Sequence, residues 1–225
     1  MEEQVCPICL GQGYKKIKDD HGFEEYTVCD CHKSVIDRRI FFNRLTEAGI
    51  PKHFWGYELS WYKDKFSKSA PSQDRKLLFD FIDEPTTFVL SDRCLWLWSE
   101  GEKIYKTSLA IQLGKKLIAD HKIKFLSFRK LMDLFLDFEH KQAVIHSYLT
   151  ADFIIIDDIF DLSRATAKEY QAINLYGFIE DAINANVKFI CTSNKNISAF
   201  SADKFFSQTA GLLQVESNVI FLKGV

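Results

Sequence analysis

Three stretches carry residue types suited to polyphosphate chemistry. The first, SEGEKIYKTS, runs from Ser99 to Ser108, after the apolar run CLWLW and before LAIQLGKKL. A strand, a short loop and a Lys-Thr pair opening a helix is the arrangement of a phosphate-binding loop. In such a loop backbone N–H groups cradle phosphates, the lysine reaches the β- and γ-phosphates, and the next hydroxyl meets magnesium. Lys106 and Thr107 fit the last two roles, and Gly101 is the one glycine of the loop. Tyr105 stands where a glycine ordinarily precedes the lysine, Glu100 takes the place of the first glycine, and Glu102 adds further negative charge. The second stretch, FIIIDDIF at 153–160, is an apolar strand ending in Asp157 and Asp158. There Asp157 would hold magnesium through water and Asp158 would polarise an attacking water. The third, ICTSN at 190–194, ends another strand with Thr192, Ser193 and Asn194, and Asn194 would orient that water. Each has a bland alternative: a loop and helix start, a strand end with solvated acids, an ordinary turn. The order strand–KT–helix, strand–DD, strand–SN is more specific than any member.

A fourth stretch has metal-ligand spacing. Cys6-Pro-Ile-Cys9 is followed after nineteen residues by Cys29-Asp-Cys31-His32. Zinc takes four tetrahedral sulfur or nitrogen ligands, and a two-residue gap lets one turn present two thiolates. Cys6, Cys9, Cys29 and Cys31 are the expected Zn2+ ligands, with His32 in reserve; reduced free thiols are the alternative. Between the pairs, YKKIKDDHGFEEYTV reads as a hairpin with Asp20-His21-Gly22 at its tip. Cys94 and Cys191 lie in apolar runs and read as small buried hydrophobes.

The elements that must position these residues follow from the hydrophobic pattern. Strands are expected at 87–90, 94–98, 124–128, 153–157, 187–192 and 218–222, and helices near 106–120, 129–138, 166–185 and 201–208. Nearly continuous apolar strands separated by helices predict a parallel sheet buried on both faces, an α/β fold. Before it come a helix over 33–48 and an aromatic, basic connector, KHFWGYELSWYKDKFSK at 52–68, whose Phe54, Trp55 and Leu59 are expected to pack on the core. The expected parts are a zinc-binding module at 1–32, helix and connector at 33–76, and the α/β core at 77–225. Composition bounds the rest. A chain of 225 residues, 47% hydrophobic, can bury a real core, and 29 basic against 31 acidic residues give a net charge of −2, excluding a globally basic nucleic-acid coat. No run reaches the length of a membrane span and no leader precedes Cys6, so the reading is cytosolic. Six cysteines in a cytosolic chain point to thiols or metal ligands rather than disulfides.

The chain resembles the DnaC/IstB group of AAA+ ATPases, the bacterial and phage helicase loaders and transposition helpers. The matching stretches are CPICLGQGY with CDCHK, the connector AGIPKHFW, the strand–KTSLA unit, IIIDDIF followed by SRATAKEYQ, and CTSN. The resemblance implies a zinc-binding amino-terminal segment and an AAA+ core without a separate lid domain. It also implies ATP or ADP with Mg2+, a replicative helicase and single-stranded DNA as partners, and assembly into homo- or hetero-oligomers. It departs in the loop glycines and in the arginine finger. The last arginine is Arg164, and Gln208 stands roughly where the finger belongs. The expectation is a helicase loader with at most weak ATPase activity. The alternatives are a catalytically inactive adaptor or inhibitor of the replicative helicase, and a transposition helper.

Overall fold

A computed structural model describes residues 8, 14–18, 24–56, 76, 79–80, 82–84, 93–100, 105–137, 139, 141–161, 169–215 and 217–222. The chain divides into two compact units, Met1–Arg44 and Leu45–Val225. In the first unit, β1 (Tyr14–Lys18) pairs antiparallel with β2 (Glu24–Val28), Tyr14 opposite Val28 and Lys18 opposite Glu24. This is the hairpin that the sequence between the cysteine pairs predicts; its tip lies outside the described residues. Helix α1 (Asp30–Glu47) follows directly, three residues earlier than the pattern suggests. Asp30 in its first turn complements the helix dipole and accepts an ion pair from Lys15 Nζ at 2.8 Å, which holds the Lys15 pKa above its usual value. The helix stops at Gly49, whose φ of 76° suits glycine: Gly49 N–H bonds to Thr46 O and Ile50 N–H to Leu45 O, a Schellman cap.

The second unit is built on a parallel sheet. Its described strands are β3 (Cys94–Trp98), β4 (Ile123–Ser127), β5 (Phe153–Asp157), β6 (Lys188–Ser193) and β7 (Ser217–Phe221), in the order β4-β5-β6-β3-β7. Five of the expected strands are therefore present, and the sixth, at 87–90, lies outside the described residues. The helices are α2 (Lys106–Leu117), α3 (Phe128–Leu134), α4 (Lys141–Leu149), α5 (Glu169–Asn184) and α6 (Ser207–Gln214).

Alternation along the strands decides which helix covers which face. Cys94, Trp96, Ile154, Ile156, Phe189 and Cys191 join one buried cluster with Leu131 of α3, Leu175 and Phe178 of α5, and Leu213 of α6. The residues between them, such as Ile155, point to the other face, where α2 lies. A Cβ on Gly114 of α2 would come within 2.6 Å of Ile155 Cδ1, so the helix rests directly on the strand. Cys94 and Cys191 are buried free thiols with Sγ atoms 4.0 Å apart, as small core residues should be. The segment 51–56 docks on α2 through its backbone: Gln112 Nε2 donates to Phe54 O and Lys115 Nζ to Trp55 O. Leu59 and the rest of the connector lie outside the described residues.

Two helical expectations are corrected. Helix α4 is absent from the helices that the pattern predicts; none of its residues is fully buried, so KQAVIHSYL shows no strong apolar stripe. The helix expected at 201–208 begins at Ser207 instead. The Asp203 carboxylate accepts from the N–H groups of Phe205 and Phe206, an Asx-type turn that delays the helix.

Candidate nucleotide site

The same alternation builds the site. Asp157 ends β5 and Thr192 sits in the last turn of strand in β6, both on the face of α2; Ser99 and Asn194 follow β3 and β6 in the same parity. The register sets Leu97 opposite Thr192 and Trp98 opposite Ser193, with Ile156 opposite Cys191 on the other side. Strand β6 thus lies between the strand that leads into α2 and the strand that carries the acids. All these residues lie at carboxyl ends of parallel strands. The chain leaves β3 toward β4 on one side and later returns to add β7 on the other. Such switch points are where open α/β sheets bind ligands.

Helix α2 brings Lys106 and Thr107 into this ring from its first turn. Lys106 is 5% exposed, and its Nζ donates to Ser99 Oγ at 2.7 Å and Asn194 Oδ1 at 2.9 Å. Burial pushes its pKa below the usual lysine value, opposed by the nearby charges of Asp158 and Asp157. Thr107 Oγ1 donates to Asp157 Oδ1 at 2.6 Å, and Thr192 Oγ1 donates to the same oxygen at 2.7 Å. Burial raises the Asp157 pKa. The two hydroxyls, the Lys106 charge and the Asp158 N–H oppose that shift. Thr192 Oγ1 also accepts from the Asp158 N–H at 2.9 Å.

Lys106, Thr107, Asp157, Asp158 and Asn194 therefore stand together. Gly101 lies outside the described residues. Tyr105, at the glycine position before the lysine, is 42% exposed; its carbonyl accepts from Ser108 Oγ and Leu109 N–H and starts the helix. The sequence assigns Ser99 and Thr192 no role. Their signal was parity: each falls on the α2 face at a strand's carboxyl end.

The chemistry of the donors fits a metal-bound polyphosphate. Thr107 Oγ1 and Asp157 Oδ1 are adjacent hard oxygens, the set magnesium takes from protein while phosphates and water fill its remaining positions. Lys106 is a buried ammonium held by neutral oxygens that a phosphate can displace. On the amino-terminal side, Cys29 is buried at the end of β2. Cys31 lies in α1, and Cys6 and Cys9 lie outside the described residues. Among the described residues no three His, Cys, Asp or Glu side chains converge on a metal position.

No family model and no curated protein sequence matches the chain. Solved structures do. The chain is similar to the DnaC helicase loader (18% identity, TM-score 0.59, covering 77% of this chain and 100% of that one). It is similar to DnaI (12%, 0.58, 77% and 95%). It is also similar to the replication initiator DnaA bound to AMPPCP and single-stranded DNA (11%, 0.55, 69% and 47%). The chain spans about half the length of the initiator structures that it matches. The parallel sheet flanked by helices is thus a DnaC-like AAA+ fold.

Proposed function

We propose that this chain is a replicative helicase loader of the DnaC type, whose AAA+ core binds ATP or ADP with Mg2+ as a switch. The observation that carries this reading is the paired network in which Lys106 joins Ser99 to Asn194 while Thr107 and Thr192 converge on Asp157. Lys106 would engage the phosphates, exchanging its serine and asparagine partners for phosphate oxygens. Thr107 and Asp157 would hold magnesium, which supplies charge neutralisation at the phosphates. Asp158 and Asn194 would orient an attacking water. Turnover is expected to be slow, because no arginine follows Arg164 and α6 offers the exposed Gln208 instead of a planar guanidinium.

The amino-terminal segment would dock the helicase. Residues 1–32 are proposed as a structural Zn2+ module with Cys6, Cys9, Cys29 and Cys31 as ligands. The hairpin supports this: Tyr14, soon after the first cysteine pair, stands opposite Val28, which Cys29 follows directly. Residues 33–76 would form the docking element, since α1 exposes Ile40 and Phe42 beside Arg38, Arg39 and Arg44. Single-stranded DNA and further loader copies are the other proposed partners of the core at 77–225. No described helix is long and apolar enough to cross a membrane.

The test is binding of a fluorescent ATP analogue with magnesium to wild type, Lys106→Ala and Asp157→Ala, followed by co-elution with a hexameric replicative helicase. Binding by wild type that is lost in Lys106→Ala, with nucleotide-dependent transfer of helicase to single strands, supports the loader. Co-elution without nucleotide binding, and with transfer blocked, would replace it with an inactive adaptor or inhibitor. Salt-sensitive binding to duplex DNA without helicase would indicate a transposition helper.

A further inference from the structure

The turn that follows β5 is costly. Asp158 has φ of 53° and Phe160 φ of 62°, the left-handed region that L side chains with a Cβ rarely occupy. A turn of this kind persists only where its surroundings over-determine it, and such turns gather at functional sites. Two sets of contacts fix it here. The Phe160 ring is buried among Trp96, Phe200 and Phe206, stacked on Phe206 at 4.9 Å between centroids. The end of β6 grips the backbone. Thr192 O accepts from Ile159 N–H at 2.9 Å, and Ser193 Oγ donates to Ile159 O at 3.4 Å.

Thr192 does more than grip. Its hydroxyl is wholly buried, donates to Asp157 Oδ1 and accepts from the Asp158 N–H. One hydroxyl thus fixes the carboxylate plane of the first acid and the peptide that carries the second. Only a side chain that both donates and accepts at one atom does this, so serine can replace threonine and valine cannot. Of the two hydroxyls on Asp157, that of Thr107 belongs to a candidate magnesium ligand. Thr192 is not a candidate ligand, so its bond to the acid would remain when magnesium binds. It also belongs to the strand that ends at Asn194, so the two acids and the asparagine are placed by one piece of backbone.

We infer that Thr192 is a positioning residue for magnesium-dependent nucleotide binding, orienting Asp157 and Asp158 through its side-chain hydroxyl. This rests on the nucleotide-binding reading given above. Partners of this kind, one bond removed from the metal, typically carry about 10–100-fold in metal affinity.

The experiment uses the full chain and a fluorescent ATP analogue, with Kd measured in excess Mg2+ and in EDTA for wild type, Thr192→Val and Thr192→Ser. Thermal unfolding is recorded for each. In Thr192→Val the tightening that Mg2+ gives is expected to shrink about tenfold or more, while Kd in EDTA stays within about twofold. Thr192→Ser keeps the wild-type Mg2+ effect. Thr192→Ala, which also removes the hydroxyl, replaces the valine variant if valine does not fold. The inference is overturned if the Mg2+ effect is unchanged without the hydroxyl, or if both Kd values weaken in equal proportion. A wild type that binds no nucleotide in Mg2+ overturns the nucleotide reading itself, and this inference with it.

Discussion

The two ends of the parallel sheet carry nearly the same residues and use them differently. At the amino ends, Lys122, Thr150 and Asp152 meet: Lys122 N–H donates to Asp152 Oδ2 at 2.7 Å and Lys122 Nζ to Thr150 Oγ1 at 2.8 Å, with His121 Nδ1 3.8 Å from the same carboxylate. At the carboxyl ends, Lys106, Thr107, Thr192 and Asp157 meet. The first group lies at the surface, where water does most of the solvating and such bonds contribute little. The second is buried, and burial moves the Lys106 pKa down and the Asp157 pKa up. A lysine, a threonine and an aspartate are thus a loop fastening at one end and a strained, charge-bearing ring at the other. Solvent access and the convergence of three strand ends make the difference, not residue type.

The comparison is broken most forcefully at Lys106. Lys106→Ala is expected to weaken binding of the ATP analogue by about 100-fold, roughly the loss of one or two charge-assisted bonds to phosphate. Equilibrium titration reads it, and Lys122→Ala should leave the same Kd unchanged.

Asp157→Asn comes next and separates function from stability. It should remove most of the Mg2+-dependent gain in affinity, about tenfold, yet raise Tm by roughly 2 °C at pH 7. The sign follows from the raised pKa: the folded state holds this proton more tightly than the unfolded chain does, so the ionised form costs stability at neutral pH. That cost is relieved as pH falls through the folded pKa toward the unfolded value near ~3.9. The Tm gap between variant and wild type should therefore be widest at pH 7 and close as pH approaches about 4. Calorimetry across that range decides it; a gap that grows toward acid would contradict the burial argument.

Gly114→Val tests whether α2 must lie close on the sheet for the ring to form. The added side chain would collide with Ile155, and a loss of about 1–3 kcal/mol in denaturant unfolding is expected. The smallest effect belongs to the other end of the sheet. Asp152→Ala should lose about 1 kcal/mol or less, with nucleotide binding untouched.

Much of this is legible in the residue pattern. CLWLW and FIIID read as strands because both of their faces are buried, which leaves an unbroken apolar run. Asp157, Asp158 and Asn194 stand out in the sequence because each follows an apolar run, and Lys106 and Thr107 because they open a helix after a strand and a short loop. What was missed was set by neighbours distant in sequence. Ser99 matters through a lysine seven residues later that is folded back over it, and Thr192 through an acid 35 residues earlier on an adjoining strand. Helix α4 has no buried stripe to announce it, and the start of α6 is set by the single carboxylate of Asp203. The spacing of Cys6, Cys9, Cys29 and Cys31 is legible only in the sequence, since Cys6 and Cys9 lie outside the described residues.

The setting of Trp96 has a practical consequence. This indole is fully buried, its Nε1 donates to the carbonyl of Lys195 next to Asn194, and its ring lies 5.9 Å from Phe160 at the far side of the acidic turn. A chromophore is therefore wired to both the asparagine and the acids without touching the place where phosphate would sit. Its emission should be blue-shifted at rest and should change when either arm moves. With Trp55, Trp61 and Trp98 replaced by phenylalanine, the molecule would report its own nucleotide state by light alone.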